Sequence, residues 1–322
     1  MQPIKIENEN LVVKLIPYGA RLVDIRLASF NFPLILGYPN IKDYHKDVAY
    51  LGAIIGRVAN RIHSAQSEIG GVLYTFDVNE RSKQTLHGGS KSCAFQNWEI
   101  KNISNTSVTF ILDEPDGHMG FPGNIHFEVC YEINDYSRLQ ITMQAISDKD
   151  GICNLTSHPY FCLDDSGDIS SHELKINASR YLPVNESNIP TGKITTVSNS
   201  EFDFLKPRGL AEIVKGTSQS IDHNFCLNDK QLTLREAAVL TSKLSNINLR
   251  VLSTESGLQF YTGHHLLDTP SGYGNRPYTP FSGLCLEPQG WPDAPNKPNF
   301  PSIFLPANTL YQQIICFEFT KN

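Results

Sequence analysis

Apolar residues return at every second position over two adjacent runs, and this period limits the fold more than any other feature. In 125–133, Ile125, Phe127, Val129, Tyr131 and Ile133 share one face while His126, Glu128, Cys130 and Glu132 take the other. Leu139, Ile141, Met143 and Ala145 then alternate with Gln140, Thr142 and Gln144 beyond the turn-like 134–137, which predicts a hairpin with one dry face. Further strand-like runs lie at 11–16, 21–27, 96–103, 107–113, 247–254 and 312–319. Only short pieces, such as 209–215 and 231–236, suit helices, and turn residues punctuate the chain every roughly 8–12 residues. The expectation is an all-β fold, a large antiparallel β-sandwich, with 1–322 as a single domain because no repeat, low-complexity tract or linker appears. The Pro/Gly/Asn-rich 269–283 is flanked by strand signals and reads as a long functional loop.

With 322 residues, 40% of them apolar and 19% charged, the chain can bury a sizeable core and is not disordered. The net charge of -6 is spread out, and no lysine or arginine run offers a footprint for nucleic acid or an anionic membrane. Charges at Lys5, Glu7 and Glu9 replace the apolar centre of a signal peptide, and no run of 18 apolar residues occurs, so a cytoplasmic location is expected. Seven cysteines without C-x-x-C spacing read as reduced core residues.

No P-loop, dinucleotide fingerprint, H-E-x-x-H or G-x-S-x-G is present. His264 and His265 are expected to face opposite sides of a strand and so to be poor joint metal ligands. What stands out is polar residues in apolar settings. GAIIGRVANRI (52–62) embeds Arg57, Asn60 and Arg61, each arginine suited either to a buried salt bridge or to a ligand. TLHGG (85–89) sets His87 before two glycines that permit a tight turn. NLTSHPYF (154–161) places His158 beside a proline and two aromatics, and IDHNFCL (221–227) puts Asp222, His223 and Asn224 inside a strand. Glu287 ends the apolar run 283–286 and precedes prolines at 288, 292, 295, 298 and 301, which are expected to exclude a helix or a central strand. A carboxylate there loses hydration, and its pKa should rise toward that of a working base. An ion pair with a buried arginine is the structural alternative.

Together with YLPVNESNIPTGKI (181–194), FDF (202–204), GLQFYTG (257–263) and GLCLEPQGWPDAPNKPNFPS (283–302), these blocks resemble the aldose 1-epimerase (galactose mutarotase) family in order over most of the chain. The resemblance implies a galactose mutarotase-like sandwich with a sugar cleft on one concave face. It also implies interconversion of the α and β anomers of a free aldose, such as glucose or galactose, without cofactor or metal. Carried over, the family's acid falls on His158, its base on Glu287, and its sugar-holding positions on Asn60, Arg61, His87, Asp222 and Gln259. The partner implied is a small monosaccharide, the chain acting as monomer or homodimer.

A base that takes the anomeric hydroxyl proton while an acid protonates the ring oxygen suffices to open a hemiacetal. Mutual attraction is expected to keep Glu287 as carboxylate and His158 as imidazolium, giving a bell-shaped pH dependence. Ser157, Pro159 and Cys162 depart from the family's commoner residues beside the acid, and Trp291 could offer the sugar an apolar face. Two other readings use the same residues: a glycoside hydrolase with Asp222 and Glu287 as its carboxylates, and a sugar-binding protein without turnover.

Overall fold

The computed structural model describes residues 2–134, 136–228 and 233–321. The expected hairpin forms: Ile125–Asn134 pairs antiparallel with Arg138–Ser147, Phe127 opposite Ala145 and Tyr131 opposite Ile141. The five inward residues of its first strand are all buried. Asp135, part of the expected turn, lies outside the described residues. The hairpin sits within a nine-stranded sheet in the order Arg208–Gly209, His172–Ile176, Arg235–Ser242, Ile247–Ser253, Tyr311–Lys321, Arg138–Ser147, Ile125–Asn134, Ser107–Glu114 and Glu99–Ile103. A six-stranded sheet runs Tyr160–Phe161, Leu284–Gln289, Gly257–Tyr261, Asp222–Cys226, Arg180–Tyr181 and Thr195–Thr196. Ile4–Glu7, Leu11–Ile16 and Arg21–Leu27 make a three-stranded sheet. Every paired strand in these three sheets is antiparallel to its neighbour.

One apolar cluster joins the three sheets: Phe127, Val129 and Ile141 from the large sheet meet Phe225, Leu258, Phe260 and Leu286 from the six-stranded one and Val13 and Ile25 from the third. Phe161 and Phe317 bridge the two larger sheets with ring centroids 5.0 Å apart. This is a β-sandwich, as expected. Cysteines 93, 153, 162, 226, 285 and 316 are buried and unbridged, and Cys130 is half-buried. Among the described residues no helix is long and apolar enough to cross a membrane.

Two local expectations fail. Of the helix expected at 231–236, residues 231 and 232 lie outside the described residues, and 235 and 236 open the strand Arg235–Ser242. That strand is paired on both sides, with His172–Ile176 and Ile247–Ser253, and a bulge between Glu236 and Ala238 lets Ala237 and Ala238 both be buried. Tertiary pairing overrides the helical preference of the local residues there. The other helix forms at Ala211–Val214, with Gly209 in a strand.

Pro288 does not exclude a central strand. Leu284–Gln289 lies between two others, with Pro288 opposite Leu258. The Pro288 carbonyl accepts from Thr156 Oγ1 and from Gln313 Nε2, each at 2.8 Å, and so points away from Gly257–Tyr261. The nitrogen and carbonyl of an extended residue share one edge, so the missing N–H also faces away from that ladder. On that edge the flanking strand Tyr160–Phe161 reaches only Leu284 and Cys285. The proline therefore costs the sheet no hydrogen bond.

Candidate active site

The strand period separates chemistry from packing. On Leu284–Gln289, Leu284 and Leu286 enter the core, so Cys285, Glu287 and Gln289 take the opposite face. Register then aligns Glu287 with Gln259 and Gln259 with Asn224, and aligns Cys285 with Tyr261 and Tyr261 with Asp222. Asp222, Gln259 and Glu287 are thus carried to one face by three neighbouring strands. Glu287 is not the misplaced end of an apolar run but an outward residue of an alternating strand.

His158 stands between the short strands Thr156–Ser157 and Tyr160–Phe161. Its N–H donates to the Ala53 carbonyl at 3.0 Å, and its carbonyl accepts from the Gly52 N–H at 2.9 Å. Pairing of Arg61–Ile62 with Thr85–Leu86 brings Asn60 and His87 together. Both have left-handed backbones, with φ of 63° and 51°. The Asn60 N–H donates to His87 Nδ1 at 3.1 Å, and the His87 N–H donates to the Asn60 carbonyl at 2.9 Å. The glycine after His87 is obligatory: at φ of +81°, a Cβ on Gly88 would sit 2.0 Å from the Gly56 carbonyl oxygen.

Asn60, Arg61, His87, His158, Asp222, Gln259 and Glu287 all line one cleft of about 230 Å³. His158 Nε2 and Glu287 Oε2 are 3.6 Å apart, both groups buried. Burial lowers the His158 pKa to about 4. Burial also raises Glu287 well above the usual carboxylate range, helped by the negative charge of Asp222 and opposed by Arg61. Desolvation therefore works against the expected carboxylate–imidazolium pair and favours a neutral acid beside a neutral imidazole. The number of protons is the same in either arrangement. The His87 imidazole is likewise neutral, its pKa driven well below the ordinary value by burial and then by His158 and Arg61. Because His87 Nδ1 accepts from Asn60, its proton stays on Nε2 as a donor.

Arg61 is held by Glu80 through two hydrogen bonds of 2.8 Å, and its Nη1 is 3.7 Å from Asp222 Oδ2. Gln259 Nε2 donates to Asp222 Oδ1 at 2.6 Å. Among the described residues, Gln259 Oε1 and Glu287 Oε2 have no hydrogen-bond partner. Buried acceptors of this kind are costly unless a ligand supplies donors.

Other residues highlighted by the sequence go elsewhere. Arg57 makes a buried pair with Glu114, Nε to Oε2 at 2.9 Å, and donates to the Pro122 carbonyl, so its role is structural. His223 packs against Phe202. Trp291 packs against Phe300 and donates to the Ser256 carbonyl, and does not line the cleft. His264 and His265 follow the strand Gly257–Tyr261 in a turn, with their rings 4.2 Å apart rather than on opposite faces. Much of the 269–283 loop lines a second cavity of about 510 Å³, shared with Cys162 but with none of the seven site residues. Ser157 is fully buried and, like Pro159 and Cys162, lies outside the cleft lining. Sequence reasoning passed over Tyr50 and Tyr160, which do line it. Tyr50 has φ of 58° and a ring 4.8 Å from that of His87, a placement no local pattern signals.

Among the described residues, two clusters bring three ligand-type atoms close together, His87 with His158 and Glu287, and Cys162 with Asp164 and His172. Neither suits a metal. His87 turns an N–H toward the first, and in the second His172 Nε2 already accepts the Leu163 N–H while burial raises the Cys162 thiol to about 12.

The aldose 1-epimerase family model matches residues 2–318. Galactose mutarotase from Rattus norvegicus is 34% identical across 99% of this chain and 94% of its own length. Aldose 1-epimerase from Escherichia coli K12 is 35% identical across 97% of this chain and 93% of its own. The crystal structure of an aldose epimerase homologue from C. elegans superposes with a TM-score of 0.93 at 29% identity, covering 99% of both chains. That of galactose 1-epimerase from Lactobacillus acidophilus gives 0.87 at 26%, covering 99% of this chain and 94% of that one. The chain belongs to the aldose 1-epimerase family, a family of isomerases.

Proposed function

We propose that this protein is a mutarotase acting on a free aldose such as glucose or galactose, with Glu287 as base and His158 as acid. The observation that supports it best is their 3.6 Å approach in a cleft that also gathers the five other residues of the family pattern. Glu287 takes the anomeric hydroxyl proton, His158 gives a proton to the ring oxygen, and the C1–O5 bond breaks. The free aldehyde turns about C1–C2, and the steps reverse on its other face. One proton resides on the pair throughout the resting state. Sugar hydroxyls that hydrogen-bond to the charged form draw that proton from Glu287 to His158, preparing the carboxylate that the first step needs.

Asn60, Arg61, His87, Asp222 and Gln259 hold the sugar hydroxyls, His87 through its Nε2–H and Gln259 through its free Oε1. We read 1–322 as one domain, working in the cytoplasm as a monomer or homodimer. Polarimetry on freshly dissolved α anomers of glucose, galactose, xylose and arabinose tests the reading. Acceleration above the spontaneous rate is expected for at least one sugar, and no acceleration for any would overturn it.

A further inference from the structure

Between the segment that carries His158 and the strand that carries Glu287, the usual ladder is missing, and buried side chains replace it. Ladder pairing across this edge stops at Cys285. Beyond it, Thr156 Oγ1 donates to the Pro288 carbonyl at 2.8 Å, one residue past the base and two before the acid. Asn154 closes on Gly290 from both sides, its Oδ1 accepting the Gly290 N–H at 2.7 Å and its Nδ2 donating to the Gly290 carbonyl at 3.2 Å. From the opposite sheet, Gln313 Nε2 donates to the same Pro288 carbonyl at 2.8 Å. Gln313 is itself fixed, since its Oε1 accepts from Tyr311 at 2.7 Å and the Tyr311 hydroxyl accepts the Leu155 N–H at 3.1 Å. The result is a closed circuit from 155 through 311, 313 and 288 to 156. Asn154, Thr156 and Gln313 are all at most 2% exposed.

We propose that Asn154, Thr156 and Gln313 are positioning residues that set the separation of acid and base, a role resting on the assignment of those functions to His158 and Glu287. None of the three lines the cleft, so none touches the sugar. Their effect is on turnover: misplacement of reacting groups by about 1 Å can cost on the order of 100-fold in rate. The sugar-holding residues Asn60, Arg61 and His87 lie on other segments, while Gln259 and Asp222 keep their place through the ladders that join their strands to that of Glu287, so affinity should survive.

Steady-state polarimetry separates the possibilities, using Thr156→Val, Thr156→Ser, the double variant Thr156→Val/Gln313→Met, and Glu287→Gln as reference. The double variant is expected to lose about 10- to 100-fold in kcat with KM within about 3-fold of the parent, and Thr156→Ser, which retains the hydroxyl, to stay near the parent rate. A folded double variant with unchanged kcat, or Thr156→Ser as slow as Thr156→Val, would overturn the proposal. If the double variant fails to fold, Thr156→Val decides alone: a kcat at least about 3-fold below that of Thr156→Ser is expected, and equal rates for the two would overturn the proposal. Full turnover by Glu287→Gln would instead refute the underlying acid–base assignment. An inactive Glu287→Gln beside an unaffected double variant would refute only the positioning role.

Discussion

The depressed His158 pKa makes a sharp prediction about the acid limb of the pH–rate profile. With His158 as the proposed acid and Glu287 as the proposed base, the working state of the free enzyme carries one proton on the pair. Acid inactivates by adding a second proton, to His158, with a pKa of about 4. A histidine titrating at its ordinary value of about 6.5 would keep about 3% of the plateau activity at pH 5, whereas one near 4 keeps about 90%, a contrast of about 30-fold. The alkaline limb, loss of the remaining proton, is displaced upward from ordinary carboxylate titration because burial raises Glu287. The profile is therefore a bell with a broad top. The assay is the initial change in optical rotation of freshly dissolved α-glucose, or whichever aldose reacts fastest, kept well below KM. The buffer-catalysed rate is subtracted at each pH, so that kcat/KM reports the free enzyme. Half-maximal kcat/KM between pH 6 and 7 on the acid side would refute the claim that burial controls His158, and with it the one-proton resting state.

Other expectations follow from the same contacts. Glu287→Gln and His158→Asn should each lower kcat by about 100- to 10,000-fold with an unchanged circular-dichroism spectrum, the usual worth of a positioned acid or base. For stability, His158 has a folded pKa below its unfolded one, so its contribution is complete above about pH 6.5 and is lost as pH falls toward 4. Urea titrations at pH 7 and pH 4 should show His158→Gln losing about 3 kcal/mol less than the parent on acidification. Arg57→Met leaves the Glu114 carboxylate buried without its cation and should cost about 3–5 kcal/mol in the same titration at pH 7, with KM unchanged in the folded fraction. Gly88→Ala should cost at least about 1–3 kcal/mol from its left-handed backbone alone, and raise KM through displacement of His87.

Much of this architecture was legible because the strand period is a local property. Tyr131 and Ile141 announce their buried face by their neighbours, and the same period explains Glu287 once its strand is known to continue through Pro288. The continuation itself was hidden. A proline's effect depends on which edge its nitrogen faces, and that edge is defined by Thr156 and Gln313, distant in sequence. The seven candidate site residues are legible only through family-like blocks, since no local pattern joins Asn60 to Glu287. Arg57 and Arg61 illustrate the limit: both sit in one apolar run, and only the fold shows one meeting Glu114 in the interior while the other meets Glu80 and Asp222 at the cleft. Tyr50 was missed for the same reason, its place beside His87 being a matter of tertiary packing.

The protonation of the pair was beyond the sequence for a further reason. Attraction between opposite charges can be anticipated from residue types, but the opposing cost of desolvation depends on how completely the walls close. Here they close almost fully, leaving His158 4% and Glu287 2% exposed. The closure that suppresses charge on the pair also makes each hydrogen bond from a bound sugar weigh more, because few waters compete for it. Suppressed charge on the pair is thus compatible with the proposed acid–base roles. With the two groups 3.6 Å apart, the proposed mechanism requires sugar binding only to move one proton across the pair, with none taken from solvent.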